Sequence, residues 1–191
     1  MTTTPAHVPV PNASNPPTNA AIRAPRPHGF PALMLFAGAA ALIMFQDQLR
    51  TLEARAFAGT LQLFSDTSVY SVASMVVFRM GDNVPYGLNI TALCSTAVLW
   101  VPLLAAAGLI LLSGRCQRGS LVRALIVSLI IVAACNVLRF LMIVFGLVWW
   151  GQTGFDLMHH YLGSIVVIIG FVGAFIVLVM SARKSAKQSR G

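Results

Sequence analysis

The stretch from Ala124 to Trp150, ALIVSLIIVAACNVLRFLMIVFGLVWW, constrains this chain more than any other. It is long and apolar enough to cross a bilayer as one helix. Arg139 lies inside it, with Asn136 one helical turn earlier. A guanidinium keeps its charge, and burying it in hydrocarbon costs from ~3 to over 10 kcal/mol. Such a residue faces a bundle interior or a wet cavity rather than lipid. Any fold for this sequence has to give Arg139 a setting of that kind.

Only 9% of the residues are charged while 57% are hydrophobic, a balance outside the range of soluble domains. The sequence therefore reads as an all-α integral membrane protein of about four transmembrane helices. The net charge of +8 does not point to nucleic acid, because the basic residues cluster at the ends of apolar segments. Three cysteines, Cys94, Cys116 and Cys135, make no disulfide framework.

Residues 1–28 are rich in Thr, Pro, Asn and Ala and read as a disordered cytoplasmic tail without a signal-peptide layout. The membrane domain covers residues 29–182, with spans near 30–45, 88–112, 124–148 and 160–180. Between spans one and two lies an extracytoplasmic segment. There Leu52, Phe57, Leu61 and Phe64 fit an amphipathic helix on the membrane surface. Further on, Met75–Met80, a Gly81-Asp82-Asn83 turn and Val84–Thr91 fit a β-hairpin, although Pro85 interrupts its second arm. A short loop, Gly151 to Asp156, joins spans three and four, and residues 183–191 form a basic cytoplasmic tail.

With the N-terminus inside, nine basic residues fall inside: Arg23, Arg26, Arg115, Arg118, Arg123, Arg183, Lys184, Lys187 and Arg190. Three fall outside: Arg50, Arg55 and Arg79. The asymmetry agrees with four spans in the plasma (inner) membrane and both termini cytoplasmic. A fifth crossing through residues 54–78 would bury Arg55 and Asp66 and would spoil that agreement.

Three reactive side chains then fall in the outer leaflet. Cys94 is expected ~6–9 Å below the outer end of span two, and Arg139 ~13 Å below that of span three. His159 stands at the outer boundary of span four. Small and polar residues share faces with them: Thr91, Ala97, Val101, Ala105 and Gly108 with Cys94; Ser128, Cys135, Asn136 and Gly146 with Arg139; Gly163, Gly170 and Gly173 with His159. Such stripes let membrane helices approach closely. His160, the alternate, points about a quarter-turn from the glycine stripe.

A thiol, an imidazole and a fixed cation suit nucleophilic acyl chemistry. A neighbouring cation favours the thiolate, which is the nucleophile. The imidazole moves protons, and the guanidinium stabilises the thiolate or the developing oxyanion. Asn136 supports by orienting Arg139 or by bonding across helices, and Asp156 is a weaker candidate for orienting a histidine. Singly, each residue has a plainer role: Cys94 as packing, His159 as an interfacial residue, Arg139 as a snorkelling cation. Cys135 lies deeper and reads as packing. Trp149 and Trp150 read as an interfacial belt, and Asn89-Ile-Thr91 is a sequon too near the membrane to use.

Cys94-Ser95, Asn136-Val-Leu-Arg139 and His159-His-Tyr-Leu-Gly163 resemble, in order and spacing, the pattern of the exosortase/archaeosortase family of membrane cysteine transpeptidases. Thr96 departs from it, since the family often has Gly after Cys-Ser. The resemblance extends over residues 70–180 and its Gly163 selects His159 over His160. It implies a cysteine protease or transpeptidase that cleaves a C-terminal sorting signal on membrane-anchored proteins at the outer face. The acyl group would pass to an unknown surface acceptor through a thioester, without metal or cofactor. Two other readings compete. One is a small transporter or assembly subunit that binds an anionic group at Arg139. The other is a thiol redox protein using Cys94 and Cys135, disfavoured by their ~10 Å difference in depth.

Overall fold

The structure, a computed structural model, describes residues 29–64, 68–79, 85–91, 94–114 and 117–188, with side chains to Lys184. It is mostly helical. α1 (Gly29–Met44) and α2 (Gln46–Gln62) meet at Phe45 and are bent by 78°. A small sheet follows, with β1 (Tyr70–Val72), β2 (Met75–Arg79) and β3 (Pro85–Asn89) in that order, all antiparallel. Then come α3 (Thr96–Leu112), α4 (Arg118–Asp156), a π-helical turn (Leu157–Leu162) and α5 (Gly163–Gln188).

α4 and α5 form an antiparallel hairpin. The chain reverses at Gly151, where φ is 60° and ψ is −145°, a backbone conformation that glycine adopts without a Cβ clash. Past the turn the two arms pair rung by rung. Gly163 packs on Arg139, Gly170 packs on Cys135, and the Ser128 hydroxyl donates to the Ala174 carbonyl at 2.8 Å. α3 runs antiparallel to α4. The Asn136 amide meets Thr96 near the α3 start, and the Trp100 indole N–H donates to the Leu129 carbonyl at 3.2 Å. α1 covers α3, with the Phe36 ring against Gly108.

Two cores divide the molecule. One lies deep among α1, α3, α4 and α5 and includes Ala32, Leu103, Leu121, Val132, Ala174 and Leu178. The other packs α2 and the sheet onto the far half of α4, joining Phe57, Leu61, Phe78 and Ile90 to Phe140 and Ile143. Cys94 belongs to the second core, and Asn136 and Ser95 are buried beside it. The outward faces of α4 and α5 remain apolar and uncovered: Ile126, Ile130, Ile168 and Ile169 are each more than half exposed.

The helical run Arg118–Lys184 holds an apolar window of mean hydropathy 2.9, long enough to cross a membrane, of which only 28% is buried inside the protein. α1 and α2 pass the same test only if taken together across their bend. α3 is apolar and 17 residues long.

Several expectations need correction. The second span does not begin at Leu88: residues through Asn89 pair in the sheet, and α3 starts at Thr96 behind its N-cap Ser95. Cys94 consequently stands ahead of the helix, not one to two turns within it. Gly151 to Asp156 is not a loop, because one glycine reverses the chain and helix resumes at once. The helix of span three starts earlier than residue 124, at Arg118, and α5 runs on through the expected basic tail to Gln188. Of the amphipathic face, Phe57 and Leu61 are buried with Ala54 and Ala58, while Leu52 and Phe64 are exposed.

The hairpin forms, with Arg79 opposite Pro85 and Met75 opposite Asn89. Its second arm is shorter than expected. Pro85 opens β3, where its missing N–H is tolerated. Sequence reading also missed β1, which pairs with β2 across the Ala73-Ser74 turn. The expected Gly81-Asp82-Asn83 turn, the N-terminal tail and Cys116 lie outside the described residues.

Candidate active site

Cys94 lies on the step between β3 and α3. Its backbone N–H donates to the Thr91 carbonyl at 3.0 Å, making a tight turn, and its side chain is buried. The turn is held from two sides by other elements. From α4, the Asn136 amide donates to the Cys94 carbonyl at 3.0 Å and to the Thr96 hydroxyl at 2.9 Å. From α2, the Glu53 carboxyl accepts from the Ser95 hydroxyl at 3.1 Å and from the Ala97 N–H at 3.3 Å. Ser95 also caps α3 by accepting from Ala97 N–H.

The two holders are each left with a free acceptor. Asn136 is 1% exposed, and its Oδ1 has no hydrogen-bond partner among the described residues. The same is true of Glu53 Oε2. Burial pushes the Glu53 carboxyl above its ordinary value, outweighing the hydrogen bonds from Ser95, Ala97 and Thr96 that act the other way.

Arg139 follows Asn136 by three residues on the same face of α4. It is 9% exposed, and its Nε has no partner among the described residues. Its side chain lies across Gly163: a Cβ there would stand 2.8 Å from Arg139 Cγ and 3.4 Å from Nε. Among the described residues no carboxylate forms a salt bridge with it. A buried permanent cation is costly to keep without a counter-ion, and none is found for Arg139 among the described residues.

His159 sits in the π-helical turn four residues before Gly163. It is half-buried, stacks on Phe155 at 5.2 Å between ring centroids, and keeps Nδ1 buried without a partner among the described residues. It lies close enough to Arg139 for the two to interact electrostatically. His160 meets His159 edge-on at 5.0 Å and is itself exposed. Single π turns of this kind are frequent at functional sites.

These groups form a chain of neighbours. Asn136 joins Cys94 to α4, Arg139 follows one turn along and packs on Gly163, and His159 stands four residues before that glycine within electrostatic range of the arginine. Among the described residues no hydrogen bond links the Cys94 thiol to either Arg139 or His159. Cys135 takes no part, since it packs against Gly170 in the α4–α5 interface. Asp156 is exposed and adds a favourable charge near His159. Trp149 and Trp150 are exposed at the end of the long arm of α4.

Glu53 was not legible as part of this site. Its partners lie 42 and 44 residues further along, and in sequence it is one charge among several on a surface helix. A cavity of about 250 Å³ adjoins the Cys94 turn, with Glu53, Thr96 and Asn136 in its wall. Thr60 adds a further hydroxyl, and the rest of the wall is apolar. Among the described residues no cluster of His, Cys, Asp and Glu has the composition of a metal site. Comparison with known proteins finds no matching family model, no matching curated protein and no matching solved structure.

Proposed function

We propose that this protein is a membrane cysteine protease or transpeptidase of the exosortase/archaeosortase kind. In this reading α1, α3 and the two arms of the α4–α5 hairpin are four spans, and α2 with the sheet caps them on the extracytoplasmic side. The uncovered isoleucines of α4 and α5 suit lipid contact, while Ser128, Asn136 and Arg139 turn inward. The single observation that carries the reading is the Asn136 clamp. It ties the Cys94 turn to the helix face that bears the buried Arg139, whose Nε has no partner among the described residues and whose side chain packs on Gly163, four residues after His159.

The reaction runs through two acyl transfers. The Cys94 thiolate adds to the scissile carbonyl of a membrane-anchored substrate. The new oxyanion accepts an N–H from Arg139, whose Nε–H has no partner among the described residues. Collapse breaks the carbon–nitrogen bond, and His159 passes a proton to the departing amine. The thioester is then attacked by water or by a nucleophile on a surface acceptor, which restores the thiol. Catalytic hydrogen bonds that are open before substrate binds are ordinary for such enzymes. The cut would free an exported protein from its C-terminal sorting signal at the outer face.

The buried Arg139, whose Nε has no partner among the described residues, also supports a second reading, a transporter or assembly subunit that holds an anionic group there. Complementation separates the two. Cys94→Ala, Arg139→Ala and His159→Ala, each checked for expression, are scored for processing of a co-expressed protein ending in a sorting motif, an apolar span and a basic cluster. The protease reading expects all three to abolish processing. Full processing by the Cys94→Ala protein would sink it and leave the anion-binding reading.

A further inference from the structure

Ser95 already caps α3: its hydroxyl oxygen accepts from the Ala97 N–H at 3.3 Å, which satisfies one of the open donors at the helix start. Yet Glu53, half-buried on α2, brings its carboxyl to the same two residues. One oxygen, Oε1, accepts from the Ser95 hydroxyl at 3.1 Å and from the Ala97 N–H at 3.3 Å. Drawing an ionisable group partly out of water is unfavourable, so the carboxyl stands where capping alone does not require it. It acts across 42 residues of chain, on a serine with no exposed surface that directly follows Cys94.

Packing fixes the approach of α2. Phe57 and Leu61 follow Glu53 by four and eight residues, so the three share one face of the helix. Phe57 and Leu61 are buried, and the Phe57 ring centroid lies 5.1 Å from that of Phe140 on α4. Phe140 stands four residues past Asn136, whose amide holds the Cys94 carbonyl. The Cys94 turn is therefore gripped at its carbonyl from α4 and at the following residue from α2. An aromatic pair joins the two gripping helices.

We infer that Glu53 is a positioning residue for Cys94: seated by Phe57, its carboxyl holds Ser95 and the first turn of α3 so that the thiol is presented in one geometry. The inference rests on the assignment of Cys94 as nucleophile. Glu53 acts through Ser95 and Ala97 rather than on a reacting atom. Because one oxygen makes both bonds, the property it supplies is reach, which a glutamine shares and an aspartate, one methylene shorter, lacks.

Reach and charge are separated by two charge-matched pairs. Wild type and Glu53→Asp are the acidic pair, and Glu53→Gln and Glu53→Ala the neutral one. Only the first member of each carries an oxygen as far as Ser95. The full-length proteins in lipid vesicles, at one pH, are treated with iodoacetamide. The thiolate displaces iodide, and alkylation of the Cys94 and Cys135 peptides is timed by mass spectrometry. Cys135, packed on Gly170 between α4 and α5, reports general loosening. In the Asp and Ala proteins the ratio of Cys94 to Cys135 rates is expected to rise about five- to tenfold over the other member of the pair, because the buried turn opens more often without those hydrogen bonds. Their processing of the co-expressed reporter, per folded molecule, is expected to fall about tenfold through misplacement of the thiol. Should the Ala protein fail to fold, the acidic pair carries the test.

Equal ratios within both pairs, or acceleration of both cysteines together, would overturn the inference. So would a raised ratio with processing undiminished, since Glu53 would then hold the turn without serving the reaction. A loss in Glu53→Gln with none in Glu53→Asp would assign the effect to charge and overturn it as well. Full processing by the Cys94→Ala protein would instead remove the nucleophile, and the positioning role with it. The alkylation ratios, which need no substrate, would still show in that case whether Glu53 holds the turn.

Discussion

At Gly163 the absence of a side chain lets Arg139 lie flat. A Cβ would stand 2.8 Å from Arg139 Cγ and 2.6 Å from the Met158 carbonyl oxygen. The backbone carbonyl has little freedom to retreat, so the arginine must move. Gly163→Ala is therefore expected to cost about 1–3 kcal/mol of stability by overpacking. If Arg139 serves the proposed protease reaction, the change should also lower processing by about 10²-fold, because a small misplacement of a catalytic group weighs heavily on rate. Thermal unfolding in detergent checks the first figure and reporter processing the second. Asn136 poses the opposite case, where a side chain is present and fully used on its donor side. Asn136→Ala leaves the Cys94 carbonyl and Thr96 hydroxyl without their donor, at about 1–3 kcal/mol for a buried group left unpaired. Asn136→Asp keeps the shape but replaces the donor with an acceptor, so it should destabilise at least as much in the same melting assay.

At the scale of elements, α2 is more than a surface float, because it carries Glu53 to the start of α3. Burial raises the Glu53 pKa, so the folded protein holds this proton more tightly than the unfolded chain. Its contribution to stability is full at acid pH, below the unfolded value, and is lost as pH rises through the folded one. Glu53→Gln keeps an acceptor for Ser95 and Ala97 but cannot ionise. Its melting temperature should therefore gain on the wild type as pH is raised from 4 to 8; a constant difference would refute the assignment. The α4–α5 pair makes a separate test. Gly170 packs directly on Cys135, and an added methyl would overlap its sulfur. Gly170→Ala should cost about 1–3 kcal/mol, and Cys135→Ala in the same protein should recover most of it, because the two changes share one space.

Across the whole molecule, the sequence revealed whatever depends on local pattern. The apolar run around Arg139 required an inward-facing helix, and Arg139 is buried on the same face as Asn136 and Ser128. The two short arms flanking Gly81-Asp82-Asn83 pointed to a hairpin, and Met75–Arg79 is a strand. What escaped notice depends on distant partners or on one backbone angle. Residues 88 and 89 look like the head of a span until β2 claims them, and Gly151 resembles any loop glycine although it alone reverses the chain. The depth assigned to Cys94 moved for the first reason. These shifts leave the charge argument for topology untouched, since Arg118, Arg123, Arg183 and Lys184 still lie at the ends of the hairpin away from Gly151. If those ends are cytoplasmic and the helices cross as proposed, the turn at Gly151 and the α2–sheet cap both lie outside. Alkaline phosphatase, active only after export, should thus be active when fused after Phe64 or Gly151 and inactive after Gly114 or Gln188. A green fluorescent reporter, which folds inside, should give the reverse at every position. If the fusions after Phe64 and Gly114 fell on one side, α3 would not cross, and the cap carrying Glu53 would lose its place beside an extracytoplasmic thiol.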